Sequence, residues 1–251
     1  MKKTLLIFGF ICVLPGIVKS QNLVPNPGFE IYTTCPADMT LYSVRYLIPH
    51  WYLPTRGTSD YFNSCTKYQV GIPQNFIGNL FAFEGNAYAG IVLLEKPPEN
   101  KSNKNKLNNY REYLQAKLTR PLKKGERYCI TINYAIANYS TYATNGLGIC
   151  LTEKKIKSRL SSKVLNYKPT ASVPREPIFT ERGYWYTLMD TLTAGGNEEY
   201  ITIGNFYDDI HTDYIKLDVS VFNNSLENRI TENRIAYYYI DLVSVEIINE
   251  K

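Results

Sequence analysis

The residue types best suited to chemistry cluster in "YDDIHTDY" at 207–214. There Asp208, Asp209 and Asp213 surround His211, one of only two histidines in 251 residues. Carboxylates and an imidazole so close together suit three tasks: ligating a metal, exchanging protons as general acid and base, or hydrogen-bonding a ligand's hydroxyls. A hydrolytic zinc site usually draws on more than one histidine, and the other, His50 in "IPHW", has no ligand spacing around it. The sequence has no nucleophile elbow, no His-Glu-x-x-His and no phosphate-cradling glycine loop. The paired carboxylates of a glycoside hydrolase are defined by their distance, which sequence spacing does not give. The expectation is a strand-end connector that sets Asp208 and Asp209 on the rim of a binding surface, with no catalytic residue assigned.

A second set of candidates is aromatic. Trp51, Tyr52, Tyr61, Trp185 and Tyr186 are suited to stacking on sugar rings, because the C–H faces of a pyranose pack well on an aromatic plane. Large aromatics equally fill cores and their edges, so the same residues have a purely structural reading.

These side chains must be positioned by elements, and the N-terminus says where those elements fold. Lys2 and Lys3 precede a mainly apolar run from Leu5 to Val18, and Val18-Lys19-Ser20 supplies small residues before Gln21. That is the pattern of a secretory leader cleaved after Ser20. Cys12 lies inside the apolar run after Ile11, where a lipid-accepting cysteine is not expected. No later run approaches transmembrane length, so no membrane span is expected in the mature chain. Loss of Lys2, Lys3 and Lys19 with the leader takes the formal charge from +5 to +2, which gives no electrostatic footprint for nucleic acid.

Four cysteines remain, Cys35, Cys65, Cys129 and Cys150, and an oxidising compartment makes disulfides reasonable. Cys35 in "TTCPAD" and Cys65 in "FNSCTK" sit in loop-like segments that adjust their Cα separation easily, so this is the preferred pair. If Ile130 faces Ile149 across an antiparallel hairpin, Cys129 falls opposite Cys150.

Short alternating runs dominate the rest. In "YCITINYAIA" Tyr128, Ile130, Ile132, Tyr134 and Ile136 share one face, and in "LGICL" Leu147, Ile149 and Leu151 do the same. "YREYLQAKL", "EYITIGNF" and "AYYYIDLVSVEII" behave similarly, and 22 tyrosines suit strands better than helices. Many short strands with turn signals predict an all-β sandwich of jelly-roll type, a single domain over 21–251. Polar, lysine-rich stretches at 95–109 and 153–177 are expected as exposed loop insertions, with a possible anionic partner surface.

Several of these segments together resemble a known domain. "NLVPNPGFE" (22–30), "PHWYLPTRGTSDYFNSC" (49–65), "GNAYAGI" (85–91), "YREYLQAKLTRPLKKGERYCITINYAIA" (110–137), "YITIGNFYDD" (200–209) and "YYYIDLVSV" (237–245) are similar to a domain of secreted and outer-membrane-associated Bacteroidota proteins. The resemblance implies a galactose-binding-like jelly roll related in shape to carbohydrate-binding modules. In that family it often precedes a peptidoglycan-binding domain of the outer-membrane porin A type; neither that domain nor a type IX sorting domain is expected within these 251 residues. Periplasm, outer-membrane periphery or cell surface is the expected location. Glu30 in "PGFE" and Asp241 in "YYIDLVSV" lie near chain ends that such folds bring together, and related modules hold a structural calcium near these positions. A buried carboxylate satisfied by backbone N–H groups is the alternative there. The resulting expectation is a non-catalytic module that binds a glycan or a cell-envelope component. The alternative is an accessory subunit of an outer-membrane assembly that makes protein contacts, and a glycoside hydrolase comes last.

Overall fold

In the computed structural model, residues 21–37, 43–67, 69–97, 108–158, 164–218 and 234–248 are described. The leader expected at 1–20 lies outside them, as do parts of the two insertions. The strands are β1 (Trp51–Tyr52), β2 (Asp60–Asn63), β3 (Gln74–Asn75), β4 (Gly78–Asn79), β5 (Ala87–Glu95), β6 (Tyr113–Lys117) and β7 (Arg127–Ile136). They continue with β8 (Tyr142–Thr144), β9 (Leu147–Thr152), β10 (Ala171–Ser172), β11 (Trp185–Thr193), β12 (Tyr200–Asn205), β13 (Tyr214–Lys216) and β14 (Ile235–Ile247), and one short helix spans Ser43–Leu47.

Two five-stranded antiparallel sheets form the sandwich, in the orders β1-β6-β12-β9-β10 and β11-β7-β14-β5-β2, and β13-β8 and β3-β4 are two small antiparallel ladders beside it. The period-2 alternation explains why they stack. Leu114, Ala116, Ile149, Ile201 and Ile203 of the first sheet meet Ile91, Leu93, Ile130, Ile132, Tyr238 and Ile240 of the second in one buried cluster. The protein is an all-β jelly-roll sandwich. The first and last described segments are adjacent, because Leu23 N donates to Val245 O (2.8 Å) and Val243 N to Pro27 O (3.0 Å).

Two strands read from the sequence as neighbours are not. β7 pairs with β11 and β14, whereas β9 pairs with β12 and β10 in the other sheet. The connection through β8 carries the chain from one sheet to the other, so Cys129 lies opposite Thr191 and Glu246, and Cys150 opposite Thr202. Both are free thiols. Cys35 and Cys65 are disulfide-bonded, with Cα atoms 6.1 Å apart.

The outer faces are partly covered, and this decides where a site can be. On the second sheet, Phe62, Tyr88, Tyr237 and Tyr239 form an aromatic cluster under Val70, Phe76 and Ile77 of the segment that carries β3 and β4. That second core explains why "AYYYI" is apolar on both faces of β14. On the first sheet, Ile156 and Leu165 pack on Tyr113, Cys150 and Phe206. The expectation of a wholly exposed insertion at 153–177 is corrected here: its apolar residues cover a sheet face, and β10 extends the sheet edge.

Candidate functional site

The acidic loop after β12 turns inward. Asp209 is buried and forms an ion pair with Arg111 Nη1 (2.9 Å), both side chains having no exposed surface. Its Oδ2 accepts the backbone N–H groups of Asn108 and Asn109, each at 2.9 Å. Arg111 donates also to Tyr110 O (2.7 Å), twice to Tyr207 O (3.2 and 2.9 Å) and to Thr212 Oγ1 (3.2 Å). Burial lowers the guanidinium pKa, and Asp209 opposes that shift. Asp209 is thus a tie between the entry to β6 and the exit of β12, and its expected rim position is corrected. A carboxylate with all its donors inside the protein has no lone pair facing a ligand.

Asp208 does a different and more local job. Its Oδ1 accepts Ile210 N (3.1 Å), His211 N (2.9 Å) and the His211 imidazole (2.6 Å), which closes a turn. Its slight burial acts upward, but the His211 bonds prevail and hold its pKa below the usual aspartate value. Among the described residues, no group of three or more His, Cys, Asp or Glu converges as metal ligands would.

The aromatic candidates divide between the two sides of the sheets. Trp51 is 1% exposed, packs on Phe29 at 4.8 Å and donates from Nε1 to Asn26 O (2.9 Å). Tyr61 is buried, with its hydroxyl donating to Phe29 O (3.1 Å) and accepting from Asn63 Nδ2 (2.7 Å). Their reading as sugar platforms is corrected: both anchor the 26–29 turn from inside. Tyr186 faces inward as well, stacked near Tyr134 and Phe179 at 5.7 and 4.6 Å. Tyr52 is half-buried at the edge of the first sheet.

Trp185 points the other way, since neighbouring strand residues face opposite sides. It stands on the outer face of the second sheet, beyond the aromatic cluster, and its Nε1 donates to Phe81 O (3.0 Å). Phe83 meets it edge-on at 6.1 Å, and Tyr88 supports it from within at 5.9 Å. Phe81 is 72% exposed, Phe83 44% and Met189, four residues along from Trp185 on the same face, 66%. Beyond this ledge the same face is polar, covered at Asn133 and Asp241 and accessible at Thr187, Thr191, Thr131, Ser244 and Glu246. The cross-strand rows Thr187–Asn133–Asp241, Met189–Thr131–Ser244 and Thr191–Cys129–Glu246 run across it. Thr187 donates to Asn133 Oδ1 (2.7 Å), which fixes that part of the row. Sequence reasoning named Trp185 but missed Phe81, Phe83 and Met189. The available signal was "LFAF" at 80–83, two phenylalanines in alternation just after the Gly-Asn pair of β4.

Glu30 and Asp241 meet at the end of this face. Asp241 is buried, with Oδ2 accepting Phe83 N (2.9 Å) and Glu84 N (3.2 Å) and Oδ1 accepting Leu242 N (2.7 Å). Glu30 Oε1 accepts Asn86 N (2.7 Å) and Ala87 N (3.0 Å). A Cβ at Gly28 would lie 3.5 Å from Asp241 Oδ1 and 3.8 Å from Glu30 Cγ, so both acids flank that glycine. At Gly85 (φ +74°) a side chain would collide with the Glu30 carboxylate. Burial pushes Asp241 up to about 7, against its three backbone donors, and Glu30 adds to the rise. Both Asp241 oxygens and Glu30 Oε1 thus accept backbone N–H groups, the arrangement of the alternative in which backbone donors satisfy the buried carboxylate. The two acids are oxygen donors of the kind calcium takes, and an ion there would need carbonyl groups and waters to complete its shell.

No protein-family model and no curated protein matches the chain. Among solved structures, the xylan-binding CBM22-1 domain of Xyn10C from Paenibacillus barcinonensis aligns at TM-score 0.41 and 10% identity, over 92% of this chain and 97% of its own. TmCBM61 in complex with β-1,4-galactotriose aligns at TM-score 0.38 and 11% identity, over 91% and 100%. The K1 cleaved adhesin domain of Lys-gingipain from Porphyromonas gingivalis W83 aligns at 0.35 and 15%, over 80% and 92%.

Proposed function

We propose that this protein is an exported, non-catalytic binding module whose ligand is a glycan lying across the open half of the second sheet. The observation that carries this reading is the pair of exposed phenylalanines, Phe81 and Phe83, against half-buried Trp185, beside rows of accessible hydroxyl groups at Thr187, Thr191, Thr131 and Ser244. Exposed aromatics next to fixed polar groups suit a ligand with both apolar C–H faces and hydroxyls, since each half of the surface would otherwise stay unmatched. The neighbours' printed ligands, xylan and β-1,4-galactotriose, belong to the same chemical class. In this role Glu30 and Asp241 act on stability: a calcium ion between them would relieve their repulsion and clamp the N-terminal turn to β14.

Affinity electrophoresis through gels containing neutral and charged polysaccharides tests the proposal. Wild type is expected to be retarded by at least one polymer, and Phe81→Ala/Phe83→Ala to run freely. Free migration of wild type in every gel, with a stoichiometric envelope protein co-purifying instead, would favour the accessory-subunit role. Turnover of the polymer would favour a hydrolase.

A further inference from the structure

On the opposite side of the sandwich, at the β1 edge of the first sheet, lies a cleft of about 320 Å³. Its walls come from two segments, Tyr52–Arg56 after β1 and Lys155–Ser158 after β9. They are joined by a backbone hydrogen bond from Ser158 N to Pro54 O (2.7 Å). Between the two wall lysines Ile156 is 4% exposed and is packed on the sheet. With the Gln115 amide turned to satisfy both its atoms, it pairs with the Ile156 backbone at 3.2 and 3.3 Å. The extended chain therefore sends Lys155 and Lys157 to the side away from Ile156, toward the cleft.

Arg56 adds a third cation from the facing wall, and none of the described residues lining the cleft is acidic. Lys155 Nζ lies over the Tyr52 ring, 3.2 Å from its centroid, which holds one cation in place. An anion entering the cleft would be attracted to all three cations, and no acid among the described lining residues competes with it. The cleft is within the size range of small-molecule sites, and Tyr52, Leu53 and Pro54 give it an apolar floor. A ligand matching both features carries an oxyanion on a ring with an apolar face.

We infer that this cleft binds an acidic saccharide, a sugar bearing a carboxylate or a phosphate, at a site separate from the aromatic ledge. The inference does not depend on what the ledge binds. A module with both sites would hold two glycan segments at once, on opposite faces of one sandwich.

Titration calorimetry with four probes tests it: trigalacturonate, glucose 6-phosphate, inorganic phosphate and neutral maltotriose. At least one acidic sugar is expected to bind more tightly than maltotriose, and more weakly as salt is raised. Arg56→Glu/Lys157→Glu is expected to weaken that binding about tenfold or more, the scale of lost charge-assisted hydrogen bonds, while Phe83→Ala leaves it unchanged. Preference for trigalacturonate or for glucose 6-phosphate identifies the carboxylate or the phosphate source. Both substituted cations are exposed, and the single Lys157→Glu variant repeats the test if the double variant does not fold. Equal binding of maltotriose, unchanged affinity in the double variant, or inorganic phosphate binding as tightly as glucose 6-phosphate would each overturn the inference.

Discussion

The acidic loop after β12 and the aromatic ledge beside β11 both sit at strand ends, and both contain residue types common in binding sites. They differ in where their functional atoms point. Asp209 spends its oxygens on Arg111, Asn108 and Asn109, inside the protein. The ledge spends one polar atom on the protein, Trp185 Nε1 on Phe81 O, and leaves Phe81 and Phe83 facing water. A polar group with all its partners supplied internally holds the fold, and an apolar group without any marks a surface available to a ligand.

The largest effect expected from this contrast falls on the loop. Arg111→Ala or Asp209→Ala leaves a buried charge unpaired and is expected to lower the unfolding free energy by about 3–5 kcal/mol. Asp208→Ala, which removes only a turn at the surface, is expected to cost about 1 kcal/mol or less. Chemical denaturation curves of the three variants measure the difference directly. Replacing the pair together by Met and Leu sharpens the point, because two apolar side chains need no partners and are expected to recover most of the loss. Equal, small effects of Asp208→Ala and Asp209→Ala would return Asp209 to the rim.

Next in size is the disulfide that ties the 35–37 segment to the end of β2. Closing a loop of 30 residues is expected to contribute about 3–4 kcal/mol, and Cys35→Ser/Cys65→Ser should lose that amount. Because neither cysteine is part of the ledge, glycan binding by the folded fraction should be unchanged.

The pH dependence is the third effect, and its sign is unusual. Asp241 is raised to about 7, and Asp60 is pushed the same way by burial and then by repulsion from Glu112. In the folded state both hold protons that the unfolded chain releases near pH 4. The stabilisation this gives is fully present below that unfolded value and is lost as pH rises through the folded pKa. Metal-free protein is therefore expected to be more stable near pH 5 than near pH 8, by about 2–4 kcal/mol. Calcium should narrow the gap by stabilising the ionised Glu30–Asp241 pair at the higher pH, and Asp241→Asn should abolish that calcium effect. Melting temperatures at both pH values, with calcium and with chelator, check all three statements.

Sequence patterns reached the sandwich because burial imposes a period of two. β7 shows this clearly: Tyr128, Ile130, Ile132, Tyr134 and Ile136 all enter the core. The pairing of β7 and β9 was not legible, since nearness in sequence suggests a hairpin and only the β8 crossover separates them. The double-sided burial of β14 was present in "AYYYI", but its cover, the 69–84 segment, reads as an ordinary loop. Trp51 and Trp185 show the limit at the site. Both are tryptophans beside a tyrosine at a strand start, yet one faces Phe29 inside and the other Phe83 outside. Residue type names the candidates, and only the side of the sheet separates an anchor from a platform.

The measurement that tests the account most directly is polysaccharide affinity together with stability for Phe81→Ala/Phe83→Ala, beside wild type. Both side chains are exposed, so each substitution is expected to change the unfolding free energy by only about 0.5 kcal/mol. Loss of two aromatic anchors is expected to weaken glycan binding by about 30-fold or more. A folded double variant that binds every polysaccharide as wild type does would contradict the ledge as the glycan site.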